Sequence, residues 1–178
     1  MYEKILDFWF EELTPKQWYA VDHELDGEMN ERFSALLARA EKSELEFWRT
    51  TAEGRLAEVI LLDQFSRNIY RGTAKAFSND VVALVLAQEA VRHRFDEQLD
   101  VAQRAFLYMP YMHSESPEIH QKAVQLFKQP GLEHNLEFEF KHKVIIDRFG
   151  RYPHRNEMLG RVSTSEESEF LKEPGSSF

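Results

Sequence analysis

The stretch TTAEGRLAEVILLDQFSRNIY, residues 50–70, decides the fold class. Thr50 followed three residues later by Glu53 forms a capping-box pattern, which is typical of a helix N-terminus. Apolar residues then recur at helical spacing, which predicts a helix over about residues 51–70. The face that we expect to be buried comprises Leu56, Val59, Ile60, Leu62 in part, Phe65 and Ile69.

The same helical periodicity continues along the chain. Further helices are predicted over about residues 22–42, 81–95, 101–109, 117–128, 132–149 and 166–172. No segment alternates in the way of a strand, so the prediction is an all-α protein. Helices joined by short turns favour antiparallel helix pairs, either bundled or stacked as a short solenoid. We expect one domain over residues 1–173 and a frayed tail over residues 174–178.

Composition excludes several classes of protein. The chain has 178 residues, of which 43% are hydrophobic and 13% aromatic, so it is globular rather than disordered. It has no Cys, which excludes disulfides, thiolate metal sites and a Cys nucleophile. The charged N-terminus does not resemble a signal peptide, and no apolar run is long enough to span a bilayer. A cytoplasmic protein with no membrane partner is therefore expected, and its oligomeric state is left open.

Charge is unevenly distributed along the chain. The net charge of −9 argues against nucleic acid as a partner, because phosphate backbones bind to basic faces. Residues 141–161, however, contain six basic side chains and two acidic ones, a net charge of +4, which leaves −13 for the rest. This basic segment is either neutralised by carboxylates elsewhere in the chain or holds an external anion.

One polar segment lies on the helix quoted above. Asp63, Arg67 and Arg71 are spaced by four residues and therefore line one helix face. Two arginines at that spacing repel each other unless each has an acidic partner, and Asn68 lies beside them. The pattern predicts a polar wall that faces either another segment of the protein or a ligand.

The basic segment includes a loop rich in hydrogen-bond donors, RFGRYPHRN, residues 148–156. Gly and Pro interrupt it, which indicates a turn at a helix end. Guanidinium groups suit carboxylates and phosphates because they donate two parallel hydrogen bonds. We therefore predict an anionic small molecule or a peptide carboxylate as partner. The predicted ligand-binding residues are Asp63, Arg67, Asn68, Arg71, His142, Arg148, Arg151, Arg155, Asn156 and Arg161.

Candidate catalytic residues are His113, Glu115 and His154, since a His near a carboxylate can act as a general base. A structural, hydrogen-bonded His113 is the alternative. The chain has no HExxH, no calcium-binding loop, no glycine-rich phosphate loop and no GxSxG. We therefore predict neither a metal site nor a cofactor, and the residues leave open whether the protein is an enzyme.

Several blocks of the sequence resemble a known bacterial family. These are DFWF at residues 7–10, LLDQFSRN at 61–68, YMP with HSE at 108–110 and 113–115, RFGRYPHRN at 148–156, and Gly160-Arg161. Together they resemble the family catalogued as domain of unknown function 924, over nearly the whole chain and in the same order. The resemblance implies an all-helical superhelix similar to tetratricopeptide repeats, and no established activity. It also implies that the polar segments are signature blocks that converge in space.

Three functional hypotheses follow from these residues. The first is a binding module for an anionic ligand or acidic peptide. The second is a hydrolase or another acid–base enzyme that uses a His of the polar segments. The third is a purely structural role, in which the polar groups fix how the helices pack.

Overall fold

The computed structural model describes residues 1–177, and within them it contains helices and turns but no strand. This confirms the all-α prediction. Stacking of helix pairs into a superhelix similar to tetratricopeptide repeats stays a prediction. No helix in the described residues combines the length and the apolar character needed to cross a membrane.

Nine α-helical segments are present in this part of the chain. They are α1 (Glu3–Leu6), α2 (His23–Glu41), α3 (Ala52–Ile60), α4 (Ser66–Ile69), α5 (Asp80–Arg92), α6 (Val101–Met112), α7 (Pro117–Phe127), α8 (Glu133–Phe149) and α9 (Ser165–Phe170). Two π-helical segments, Asp7–Glu12 and Leu61–Phe65, extend α1 and connect α3 to α4. Short 3-10 turns lie at Gln17–Tyr19, Glu46–Thr50, Ala74–Phe77, Asp96–Gln98 and Pro153–Arg155.

The cap of α3 lies one residue later than the sequence pattern indicates. Thr51, not Thr50, is the N-cap, and its hydroxyl accepts a hydrogen bond from the Gly54 amide at 3.1 Å. The Thr50 hydroxyl instead donates to the Phe47 carbonyl at 3.3 Å. Thr50 is the last residue of the preceding 3-10 turn, so its backbone cannot take the extended conformation that a cap requires.

The chain forms two compact units. The N-terminal unit consists of Met1–Arg71 and Lys75–Pro110. In this unit both π-helical segments contribute to one aromatic core. Phe65 lies with its ring centroid 5.9 Å from that of Phe8 and 5.6 Å from that of Trp9, and Phe33 completes the cluster at 4.9 Å from Phe8. These aromatic contacts add to the energy of apolar burial.

The C-terminal unit consists of Gly72–Ala74 and the chain from Tyr111 onward. Its core includes Ile145, Ile146 and the fully buried Tyr152, against which Phe149 and Phe170 pack. Whether residues 1–173 fold as one domain stays a prediction. In the predicted tail, Ser176 is buried and donates to the Leu171 carbonyl at 3.2 Å, and residue 178 lies outside the described residues.

Candidate functional site

The arginine-rich loop of the C-terminal unit follows α8 directly. Gly150 ends that helix with φ of 68°, a left-handed conformation that other residues adopt only with strain. The chain then reverses, and the Tyr152 amide donates to the Glu115 carboxylate at 2.7 Å. A 3-10 turn over Pro153–Arg155 follows, so the loop has a fixed backbone that holds its side chains in place.

Arg151 of this loop holds a carboxylate of the same chain. Its Nε and one terminal nitrogen donate to the two oxygens of Glu167 at 2.6 and 2.8 Å. The Thr164 backbone amide donates to the same carboxylate at 2.7 Å, and the side-chain nitrogen of Asn156 lies 3.4 Å from it. Glu167 is 2% exposed, and its hydrogen bond with Arg151 lowers its pKa to about 2. Arg151 and Asn156 of the loop therefore contact a carboxylate that the C-terminal helix α9 supplies, and the Thr164 amide belongs to the N-cap of that same helix.

Arg161 makes a second bidentate pair. Its terminal nitrogens donate to the two oxygens of Glu115 at 2.6 and 2.9 Å, and its Nε donates to the Asn156 side chain at 2.9 Å. Burial alone would raise the pKa of Glu115, but hydrogen bonds from Arg161 and from the Tyr152 amide lower it below its usual range. Glu115, predicted from sequence as a catalytic group, is thus an ionised partner of Arg161.

The other two arginines of the loop differ in burial. Arg148 is exposed and pairs with the exposed Glu166 at 2.9 Å. Arg155 is buried, donates to the His113 carbonyl at 3.1 Å, and lies with its guanidinium 4.5 Å from the centre of the Tyr152 ring.

Two imidazoles of the C-terminal unit lie beside the Tyr152 ring. The ring centroids of His142 and His154 lie 5.8 and 5.5 Å from that of Tyr152. The buried His142 donates from Nδ1 to the Phe138 carbonyl at 2.8 Å, and burial lowers its pKa to about 3. His142 is therefore a neutral side chain at physiological pH, not a cationic anion ligand.

Sequence reasoning missed a buried pair at the same place. His120 Nδ1 lies 2.7 Å from the Glu139 carboxylate, and both side chains have no exposed surface. His120 Nε2 lies 2.8 Å from the Ser114 carbonyl, and burial raises the pKa of Glu139. A hydrogen bond therefore joins a hidden imidazole to a hidden carboxyl group. The sequence did contain a signal for this buried histidine, because His120 lies on the same apolar helix face as Ala123 and Phe127.

In the N-terminal unit, Arg67 bridges two carboxylates. It donates to Asp63 at 3.0 Å and, through both terminal nitrogens, to Asp80 at 2.9 and 3.0 Å. Asp63 is fully buried and also accepts a hydrogen bond from Gln64 at 2.6 Å. The arginine spacing predicted acidic partners, and one of them, Asp80, lies at the start of α5.

Arg71 and Asn68 share another acidic partner. Arg71 donates to Asp26 of α2 at 2.6 and 2.9 Å, and the Asn68 amide donates to the same carboxylate at 3.0 Å. These contacts tie α4 and the turn after it to α2. The sequence analysis also predicted that this polar segment converges with the polar segments of the C-terminal unit. That convergence depends on how the two units are placed, and it stays a prediction.

Two surface clefts of the N-terminal unit contain none of the predicted residues. One, of about 390 Å³, is lined by acidic side chains together with Tyr2 and Phe10. The other, of about 410 Å³, lies beside Arg32 and Phe33. Within the described part of the chain, no group of three or more His, Asp or Glu side chains is arranged to hold a metal ion.

Arg55 was not singled out from sequence. Among the described residues it has no carboxylate within salt-bridge distance, and its guanidinium lies 4.4 Å from the centre of the Phe95 ring. Burial lowers its pKa.

The fold and these contacts define an all-helical protein whose arginines are held mainly by its own carboxylates. A family model described as "Bacterial protein of unknown function (DUF924)" matches residues 5–175. The chain belongs to this family. It is also similar to a solved structure described as a protein of unknown function, ATU0120, from Agrobacterium tumefaciens. The identity is 36% and the TM-score 0.91, with 96% of each chain covered. No functionally curated protein matches the chain.

Proposed function

We propose that this protein is a binding module that recognises carboxylate groups of an acidic peptide at Arg151 and Asn156. The observation that supports this proposal is the bidentate contact between Arg151 and Glu167. Planar, two-point pairing of this kind is how arginine recognises carboxylates in ligands. In this arrangement Glu167 stands in for the carboxylate of the peptide.

Burial of the histidines favours binding over catalysis. The hydrogen-bonded pair His120–Glu139 has no exposed surface, so a substrate has no access to it. Burial keeps His142 neutral and hydrogen-bonded to a backbone carbonyl. General-base catalysis by His113 or His154 stays a prediction.

A structural role is the second candidate, and the internal ion pairs favour it. Arg67, Arg71, Arg148, Arg151 and Arg161 each contact a carboxylate of the same chain. If these pairs only fix the packing, removing one partner destabilises the protein and no ligand competes for the other. If Arg151 binds peptides, neutralising Glu167 removes the internal charge that competes with a peptide carboxylate.

The test is calorimetric titration of full-length variants with a short oligoglutamate peptide. Glu167→Gln should bind it saturably, and adding Arg151→Ala should abolish that binding. Adding Arg92→Ala instead, an exposed arginine that pairs with Glu89, should leave binding unchanged. Absence of saturable binding by a folded Glu167→Gln variant, or binding that survives Arg151→Ala, would overturn the proposal in favour of the structural role.

A further inference from the structure

We infer that the partner of this site is a short helix with the pattern Thr/Ser-x-x-Glu-x-x-Phe, and that α9 is an internal copy of it. On this inference, which rests on the proposed function, α9 occupies the site and must leave before a partner helix binds. The pattern is that of Thr164, Glu167 and Phe170 in this chain.

Each of the three pattern residues has a distinct contact. Thr164 and Glu167 form a reciprocal capping box, in which the Thr164 hydroxyl accepts from the Glu167 amide and the Glu167 carboxylate accepts from the Thr164 amide. This box orients the carboxylate that Arg151 binds. The Phe170 ring packs on Phe149, with 5.0 Å between the ring centroids.

These three contacts require helical geometry. Residues three apart in an α-helix lie on neighbouring positions of one face, and six residues span about 9 Å along the axis. An extended acidic peptide presents a carboxylate but cannot place an aromatic ring at that separation and direction from it. The site should therefore favour a helix with all three groups over a peptide with charge alone.

The way α9 is attached suits a segment that can be displaced. It has six residues, too few to form a stable helix by itself in water. Val162, in the preceding non-helical segment, is 88% exposed, and two of the charged contacts are the pairs Arg148–Glu166 and Arg151–Glu167. An acidic partner can replace such contacts one for one. Because α9 is tethered, it competes at an effective concentration that is about millimolar for short linkers.

The test uses full-length protein and a fluorescent peptide with the sequence of residues 163–173, here called the α9 peptide. Two control peptides are a scrambled sequence of the same composition and the α9 peptide with Glu167→Gln. The proteins are wild type, Glu167→Gln and Phe170→Ala. The third keeps every charge and loosens the packing of Phe170 on Phe149 and the neighbouring core, so it provides the test if Glu167→Gln does not fold.

Fluorescence anisotropy should show the α9 peptide binding either variant about tenfold or more tightly than wild type, because the tethered competitor is weakened. It should also bind more tightly than either control peptide. Equal binding of the scrambled peptide would overturn the helical pattern and leave carboxylate recognition standing. Equal binding to wild type and variants would overturn competition by α9. If no acidic peptide binds a folded variant, the proposed function and this inference both fail.

Discussion

Acidification should destabilise the C-terminal unit through His142. Burial lowers the pKa of this imidazole to about 3 from 6.5, so between these values the unfolded chain binds a proton that the folded chain does not. Stability therefore falls as pH decreases through this range. With these two values, the contribution of His142 to the free energy of unfolding should fall by about 2 kcal/mol between pH 7.5 and 5.

The groups that face His142 strengthen this expectation. His113, His120 and His154 all disfavour its protonated form electrostatically. The Arg155 guanidinium lies 4.5 Å from the centre of the Tyr152 ring, which His142 also contacts. The measurements stay above pH 5 because the paired carboxylates have lowered pKa values. Their contribution to the free energy of unfolding is therefore lost mainly at lower pH.

The assay is urea unfolding followed by far-ultraviolet circular dichroism at several pH values from 7.5 to 5. His142→Gln removes the titrating group, so its free energy of unfolding should vary less with pH than that of wild type by about 2 kcal/mol over this range. His134→Gln, an exposed histidine on the same helix, is the control and should keep the wild-type pH dependence. Equal pH dependence of all three proteins would refute the assignment of this acid sensitivity to His142.

Two further predictions concern the N-terminal unit and are read from urea midpoints. Gly54→Ala should destabilise by about 1–3 kcal/mol, because a Cβ there would lie 2.1 Å from the Trp48 carbonyl oxygen. Gly27→Ala, in an open helical position, should instead stabilise by up to about 1 kcal/mol, and destabilisation by both variants would contradict this reasoning. Arg67→Ala should cost about 3–5 kcal/mol, because it removes a cation that pairs with the buried Asp63, and a cost near zero would show that the pair is dispensable.

The helices were predictable because their signals are local. Apolar spacing and capping residues act within one or two turns, as the box formed by Thr164 and Glu167 at the start of α9 illustrates. The π-helical segments were not predictable, since one extra residue in a turn leaves the apolar character of Leu61–Phe65 unchanged. Their role appears only when the aromatic rings they carry meet in the core.

The partners of the polar residues were not predictable, because most of these partners are distant in the chain. Helical spacing suggests a pair between Asp63 and Arg67, which exists, but it says nothing about residues distant in the chain. Arg161 pairs with Glu115 across 46 residues and Arg151 with Glu167 across 16. An arginine-rich segment therefore indicates that carboxylates are bound, and only the tertiary contacts show whose carboxylates they are.

The basic segment at residues 141–161 has a net charge of +4, and three carboxylates from outside it, Glu115, Glu166 and Glu167, offset most of that charge. An external acidic group must therefore exchange with one of these carboxylates, and charge alone gives it little advantage. Net affinity then depends on groups that accompany the carboxylate, such as a helix cap and an aromatic ring. On the proposed function, a partner that matches α9 in those groups would gain the contacts that the tethered helix loses, and a simple anion would not. Internal neutralisation would then give selectivity for a helical acidic peptide.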